Sequence, residues 1–154
     1  MHTDIPDRGR GDKSIKILVI DGQGGGLGKS IIEQIRQIKK ELPDCEITAA
    51  GTNSAASAAM LKAGADIAAT GENAVIYNSK RSDIITGAVG ICFANSMRGE
   101  ISPNIANAVC ESEAVKILIP VPMYKCNINI MGVNEKPMAQ YIVEAVEKIK
   151  EICK

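Results

Sequence analysis

The sequence predicts a three-layer α/β/α protein, in which a Rossmann-like, open and mostly parallel sheet of five to six strands lies between two layers of helices. Three observations predict this fold class. Short apolar runs alternate with amphipathic runs along the chain. The first apolar run, residues 15–21, is nearly continuous, which is typical of a parallel strand buried on both faces. A turn with five glycines among seven residues, 22–28, joins this run to an amphipathic helix.

The other elements follow from residue spacing, capping residues and chain breakers. Ile31, Ile35 and Ile38 share one face of the first helix, and Ser102-Pro103 is a strong helix start. Residues 72–79 are too few for periodicity to decide, and the alternation favours a helix over a strand. The predicted helices span residues 26–41, 55–62, 72–79, a segment from 103 onward, and 137–152. The predicted strands span residues 15–21, 45–50, 66–69, 83–86, 115–121 and 127–133.

A single Rossmann-like domain is predicted for residues 15–154, because a chain of 154 residues is long enough for one hydrophobic core. Residues 1–14 are polar and aperiodic, so we expect them to form a flexible tail. The last helix is expected to bury one face, which is formed by Met138, Ile142, Ala145, Ile149 and Ile152.

The composition limits the possible partners. The chain has 18 basic and 18 acidic residues, so its formal net charge is zero, and aromatic residues make up 3% of it. This balance gives no electrostatic reason to expect a nucleic acid or an anionic membrane as partner. No apolar run is long enough to span a bilayer. The five cysteines form no CxxC pair, which favours reduced thiols and a cytoplasmic protein.

The sequence offers no obvious acid–base machinery. Its single histidine, His2, lies in the polar tail, so we expect no histidine-based metal site. Cys126 has no histidine nearby to activate it as a nucleophile. We therefore assign no catalytic residue and no metal ligand, and the sequence leaves open whether the protein is an enzyme.

Residues 22–30, called the glycine loop below, are the strongest functional signal. Glycines let the backbone approach a phosphate closely, and a helix N-terminus offers unpaired N–H groups and about half a positive charge. Lys29 is unfavourable beside that charge, which a phosphate partner would explain. The competing explanation is that the glycines only allow the strand and the helix to pack tightly. The candidate ligand-binding residues here are Asp21, Gly22, Gln23, Gly24, Gly25, Gly26, Leu27, Gly28, Lys29 and Ser30.

Three nucleotide-binding templates fit the glycine loop in part. The dinucleotide pattern G-x-G-x-x-G has Leu27 in place of its third glycine. The short-chain dehydrogenase pattern G-x-x-x-G-x-G is met, but the Tyr-x-x-x-Lys pair is not, because Arg81 follows Tyr77 at the lysine position. The P-loop pattern G-x-x-x-x-G-K-[ST] ends correctly at residues 28–30 but has Gln23 in place of its first glycine. No other apolar strand ends in the Mg²⁺-binding carboxylate that a P-loop enzyme needs.

Further candidates follow the other predicted strands. In an open parallel sheet, ligands bind beyond the carboxyl ends of the strands. Polar and small side chains in the loops at that edge can hydrogen-bond a base or a sugar, although each of them also has an ordinary role in turns and caps. These candidates are Gly51, Thr52, Asn53, Ser54, Gly71, Glu72, Asn73, Gly87, Asn95 and Asn127.

The predicted ligand is a nucleotide or dinucleotide. Binding of NAD(H) normally requires an acidic residue at the end of the second strand, where this chain has hydroxyls and an amide instead. NADP(H) is thus slightly favoured over NAD(H), and ATP or GTP is less favoured than either.

The chain resembles an uncharacterised bacterial family of small Rossmann-like proteins, known only as a domain of unknown function. The resemblance covers about residues 15–133, and the helix over 137–152 is interpreted as an extension beyond the shared part. It implies the fold and transfers no catalytic residue. The segments that carry it are residues 20–29, 51–54, 60–65, 69–74 and 125–127.

Three functional hypotheses follow. The first is a Rossmann-like protein that binds the phosphates of a nucleotide on the glycine loop. The second is a non-enzymatic subunit of a homo-oligomer that kept the scaffold and lost the chemistry. The third and weakest is a small P-loop-like phosphotransferase.

Overall fold

The structure is a computed structural model that describes residues 4–5, 9, 11, 14–120, 129–133 and 135–154. Its sheet has five strands, all parallel, in the order β3-β2-β1-β4-β5. The fold class predicted from the sequence is confirmed. The strands are β1 (Ile15–Asp21), β2 (Cys45–Gly51), β3 (Ile67–Thr70), β4 (Ile84–Ala88) and β5 (Val115–Ile119).

Within the described residues, five α-helices cover the two faces of the sheet. Side chains of α1, α2 and α5 join one hydrophobic cluster, and those of α3 and α4 join the other. The helix predicted for residues 72–79 is confirmed. The helices are α1 (Gly26–Gln37), α2 (Ser54–Lys62), α3 (Glu72–Ser79), α4 (Pro103–Glu111) and α5 (Met138–Ile152).

Strand β1 lies at the centre of the sheet and is buried on both faces, as its apolar run predicts. Ile17 and Val19 belong to one hydrophobic cluster, whereas Leu18 and Ile20 belong to the other. Because successive side chains of a strand point to opposite faces, this division shows that both faces are covered. β1 therefore anchors the glycine loop rigidly to the core.

Several element boundaries differ from the sequence prediction. α1 ends at Gln37 instead of residue 41, and a separate 3₁₀ turn follows over Lys39–Glu41. β5 ends at Ile119, just before Pro120, because proline cannot donate a hydrogen bond to a sheet. The predicted strand over 127–133 is wrong for residues 129–133, which form no strand and include a turn at 131–132, and its first two residues lie outside the described residues.

Helix α5 buries Ile142, Ala145 and Ile149, as its spacing predicts. Ile152 is partly buried and packs against the same core, whereas 42% of Met138 is exposed at the first turn of the helix. Val146 takes a place in the buried face that the sequence analysis did not assign to it.

The strand order places a switch point between β1 and β4. From β1 the chain moves outward to β2 and β3, then returns to the other side of β1 and continues through β4 to β5. The loops that leave β1 and β4 thus turn toward opposite faces of the sheet and leave a crevice between them. In open α/β sheets, this crevice at the carboxyl ends of the strands is where ligands bind.

Candidate functional site at the carboxyl edge of the sheet

A cavity of about 690 Å³ lies at this switch point. Its walls come from the glycine loop, from the β4–α4 loop (residues 89–102) and from the first residue of α5. We call it the switch-point cavity. Its lining residues are Asp21, Gly22, Gln23, Gly24, Gly25, Gly26, Leu27, Ala88, Gly90, Asn95, Ser96, Met97, Arg98 and Met138.

Three glycines of the loop are explained by packing. A Cβ on Gly22 would lie 2.8 Å from Glu100 Oε2, and a Cβ on Gly28 would lie 2.4 Å from Met60 Sδ. Gly25 has φ 72°, and a Cβ there would lie 2.8 Å from the Cα of Ala56. At these positions tight packing of the loop against its neighbours is a sufficient reason for glycine.

Gly24 and Gly26 have no such explanation. A Cβ on either residue would meet no atom within 4 Å, and neither residue has a positive φ. Among the described residues, no acceptor is hydrogen-bonded to either N–H group. Both residues line the switch-point cavity. The loop therefore presents two exposed backbone donors to an open space.

The other amides at this helix start are already occupied. The carboxylate of Asp21 accepts hydrogen bonds from the N–H groups of Gly22 and Gly28, each at 2.7 Å. The Lys29 N–H donates to the Gly25 carbonyl at 2.9 Å, as the Gly25 N–H does to the Gly22 carbonyl. A ligand can thus use only part of the backbone N–H groups of the glycine loop.

Asp21 is a buried carboxyl group, and among the described residues no cation is paired with it. Burial raises its pKa, and the negative charge of Glu100 adds to that effect, although the amides of Gly28 and Gly22 oppose it. Its two hydrogen bonds from backbone amides give Asp21 a structural role as a cap of the glycine loop.

Lys29 does not line the cavity. Its Nζ lies 3.8 Å from Glu33 Oε1, one turn further along α1, and about half of the side chain is exposed. In a P-loop the corresponding lysine reaches the β- and γ-phosphates. Ser30 also lies outside the lining, so the two residues that end the P-loop pattern are not part of this cavity.

Backbone strain is concentrated around the cavity. Within the described ranges, four residues other than glycine have positive φ: Gln23 at 49°, Asn95 at 67°, Met97 at 53° and Arg98 at 56°. All four line the cavity. Residues with side chains rarely adopt this conformation, and such outliers gather at ligand-binding and active sites.

Glu100 connects the loops that follow β1, β2 and β4. Its Oε2 accepts a hydrogen bond from the Gln23 N–H at 2.7 Å, and its Oε1 accepts one from Asn53 Nδ2 at 2.7 Å. Asn53 Nδ2 also donates to the Gln23 carbonyl at 2.9 Å. We call this set of contacts the Glu100 bridge.

The loop after β2 lies behind this bridge and does not line the cavity. Asn53 is instead the N-cap of α2, where its Oδ1 accepts from the Ala56 N–H at 2.9 Å. Gly51 is explained by packing, because a Cβ there would lie 2.5 Å from the Ser57 nitrogen. Thr52 and Ser54 are likewise outside the lining.

The loop after β3 is also remote from the cavity lining. Gly71 is the N-cap of α3 with φ 101°, and Glu72 accepts a hydrogen bond from the Ser102 hydroxyl. Asn73 is exposed on the first turn of that helix. Gly87 in β4 is explained by packing, since a Cβ there would lie 2.5 Å from the Ile20 carbonyl oxygen.

Asn95 is the one candidate from the later loops that the structure brings to the cavity. Asn127 lies outside the described residues. The sequence analysis missed Met97, Arg98 and Glu100, because Asn95 was its last candidate in the β4–α4 loop. The signal was available: two charged residues lie between Ser96 and the helix start at Ser102, in a loop that must lie at the carboxyl edge.

Metal ligands are not clustered at this edge or elsewhere in the described part of the chain, where no three His, Cys, Asp or Glu side chains form a possible metal site. None of the helices that the structure describes is both long and apolar enough to cross a membrane.

The chain belongs to a family described as Domain of unknown function (DUF3842), whose model matches residues 16–154. The resemblance drawn from the sequence is thereby confirmed. The match includes α5, so the interpretation of that helix as an extension beyond the shared part is wrong. No curated protein matches the chain.

Among solved structures, the chain is similar to a dodecameric FMN-dependent Ubix-like decarboxylase from Escherichia coli O157:H7. The two share 16% sequence identity at a TM-score of 0.41, and the match covers 88% of this chain and 76% of that one.

Proposed function

We propose that the protein binds a nucleotide-type phosphate ester in the switch-point cavity, with its phosphate on the N–H groups of Gly24 and Gly26. One observation carries the proposal. These two glycines line the cavity, have unpaired amides among the described residues, and are required neither by backbone conformation nor by packing. Close approach of an anion to the backbone would explain why both residues are glycine.

The contacts proposed for the phosphate supply part of the free energy of about 8 kcal/mol that micromolar binding requires, and contacts of the nucleoside with the cavity must supply the rest. Hydrogen bonds to a charged group contribute about 1.5–3 kcal/mol each, and the start of α1 adds about 0.3–1 kcal/mol for an anion. Arg98 supplies a positive charge at the exposed rim of the cavity.

The ligands to be compared are NAD(H), NADP(H), ATP, GTP and FMN. A ligand present at about one hundred times its Kd stabilises the fold by about 2.7 kcal/mol, which raises Tm by roughly 5–11 °C for a domain of this size. We expect at least one member of this set to produce such a shift. A set in which no compound raises Tm would contradict the proposal.

Substitution of Gly26 separates ligand binding from stability. Gly26 is the first residue of α1, so Gly26→Ala is expected to leave the ligand-free protein as stable as the wild type or up to about 1 kcal/mol more stable. Its methyl group would stand in the ligand's path and weaken binding about tenfold or more. Asn104→Ala, in the exposed first turn of α4, is the control and should not alter Kd.

The second candidate is a homo-oligomeric interaction subunit. Several large apolar side chains are exposed close to the start of α5, namely Ile130, Met131, Val133 and Met138. Light scattering of the ligand-free protein tests this candidate directly. A stable oligomer that dissociates in Met131→Glu, with no Tm shift from any nucleotide, would favour it over ligand binding.

A further inference from the structure

We propose that Glu100 closes the β2 side of the switch-point cavity, so that the site accepts a mononucleotide and rejects a dinucleotide. This inference rests on the proposed function and adds the size class of its ligand. It also departs from the NADP(H) or NAD(H) expected from the sequence.

The argument begins with the route that a dinucleotide would take. In sheets of this strand order, the ligand crosses the carboxyl edge above the central strand and extends to both sides of the switch point. On this chain, that route passes from the β4–α4 loop, over Gly22, to the loop after β2. The Glu100 bridge lies across it.

The surface above Gly22 is already filled. The position that a Cβ would take on Gly22 lies 2.8 Å from Glu100 Oε2, 2.8 Å from Thr52 Oγ1 and 3.0 Å from Met97 Sδ. These atoms leave no space for a sugar or a second phosphate. The extent of the switch-point cavity supports this conclusion, because its lining includes Gly22 and Gln23 but no residue of the loop after β2.

The bridge is held in place from the β4–α4 loop. The Asn95 N–H donates to the Ile101 carbonyl at 2.6 Å, and the Glu100 N–H donates to the Met97 carbonyl at 3.2 Å. Ile101 is fully buried in the hydrophobic core. The three left-handed residues of this tight turn, Asn95, Met97 and Arg98, set the direction in which Glu100 points.

Charge also disfavours a dinucleotide on that side. A second phosphate beyond Gly22 would lie close to the Glu100 carboxylate, and the 2′-phosphate of NADP(H) would add to the repulsion. The β4 side differs, because Leu27, Ala88, Met97 and Met138 offer apolar surface to a planar ring. A mononucleotide with its phosphate on Gly24 and Gly26 and its ring over β4 avoids the Glu100 carboxylate and contacts this apolar surface.

The experiment measures Kd by titration calorimetry for AMP, FMN, NAD⁺ and NADP⁺. We compare wild type with Glu100→Gln, which keeps the bulk of the side chain and removes its charge, and Glu100→Ala, which removes both. The matched control is Glu113→Ala. Glu113 is an exposed glutamate just before β5, at the amino edge of the sheet.

For wild type we expect AMP or FMN to bind at least about tenfold more tightly than NAD⁺. Glu100→Gln should lower the ratio of dinucleotide to mononucleotide Kd in part, because it removes the repulsion of the second phosphate while the bulk of the side chain stays. Glu100→Ala should lower that ratio about tenfold, and Glu113→Ala should leave every Kd unchanged.

Two results would overturn the inference while leaving the proposed function intact. One is a wild-type protein that binds NAD⁺ as tightly as the mononucleotides. The other is loss of NAD⁺ binding in Glu100→Ala, which would show that the carboxylate holds a ribose instead of excluding it. If no compound binds wild type, the proposed function itself fails.

Discussion

At each end of the strands an aspartate carboxylate accepts backbone hydrogen bonds, but the charges beside the two carboxylates differ. At the amino edge, the carboxylate of Asp66 accepts the Ile47 N–H at 2.8 Å and pairs with Arg36 Nη2 at 2.8 Å. At the carboxyl edge, the carboxylate of Asp21 accepts two backbone N–H groups, but its charged neighbour is Glu100. One aspartate has its charge compensated, and the other does not.

The pKa values of the two carboxyl groups move in opposite directions for this reason. Burial alone would raise the pKa of Asp66, but the Ile47 amide and the Arg36 guanidinium outweigh it and lower the pKa. For Asp21, burial prevails and raises the pKa. The left-handed residues also gather at the carboxyl edge. The amino edge is therefore built for stability, whereas the carboxyl edge contains strain and uncompensated charge that are typical of a functional site.

The largest expected effect tests how tightly the carboxyl edge is packed. Gly25→Ala places a Cβ 2.8 Å from the Ala56 backbone in a left-handed conformation, so it should lower the free energy of unfolding by about 2 kcal/mol or more. Urea denaturation measures this change. The neighbouring Gly26→Ala is the control, and an equal loss in both variants would contradict the distinction between packed and open glycines.

The next effect tests charge compensation at the amino edge. Arg36→Ala removes the ion pair with Asp66 and the hydrogen bond from Nε to the Gly64 carbonyl at 2.6 Å. We expect a loss of about 1–2 kcal/mol in the free energy of unfolding, because Asp66 is partly exposed. The exposed Lys62→Ala, at the end of α2, should change it by less than about 0.5 kcal/mol. Similar losses in the two variants would contradict the claim that charge compensation at the amino edge stabilises the fold.

The third prediction concerns pH and Asp21. A raised pKa means that the native state retains this proton above the ordinary aspartate pKa of about 3.8, where the unfolded state has released it. The contribution of Asp21 to the free energy of unfolding therefore falls as pH rises through that window and stays low above it. Asp21→Asn has no carboxyl proton to lose, so its free energy of unfolding lacks this decrease with pH. The variant also loses an acceptor for one amide, because asparagine has one acceptor oxygen instead of two.

Urea denaturation between pH 4 and pH 7 checks this prediction. The stability of Asp21→Asn relative to wild type should improve as pH rises, whatever its value at pH 4. Parallel pH profiles would show that the carboxyl edge does not hold an uncompensated charge.

The smallest expected effect concerns Lys29. Because this side chain points toward Glu33 and away from the cavity lining, Lys29→Ala should change stability by less than about 0.5 kcal/mol and leave the Kd of the ligand unchanged. Calorimetric titration of the tightest ligand provides the measurement. A large loss of affinity, or of ATP turnover, would instead support the P-loop-like phosphotransferase.

Much of the fold could be predicted because it depends on local patterns. The apolar run of β1, the isoleucine spacing of α1 and the Ser102-Pro103 start of α4 each act within a few residues. The predicted element boundaries were wrong where a single residue ends an element, as Pro120 does for β5. The strand assigned to 127–133 failed over its described residues because short apolar runs also occur in turns.

The sequence by itself determined that five glycines follow a buried strand and begin a helix, which places them at the carboxyl edge of a parallel sheet. Only the tertiary structure decided which of them are open, because that depends on Met60, Ala56 and Glu100 from other elements. Glu100 lies 77 positions from the Gln23 amide to which it is hydrogen-bonded. Backbone conformation and periodicity are local properties, whereas the pairing of a donor with an acceptor is decided by the packing of the whole chain.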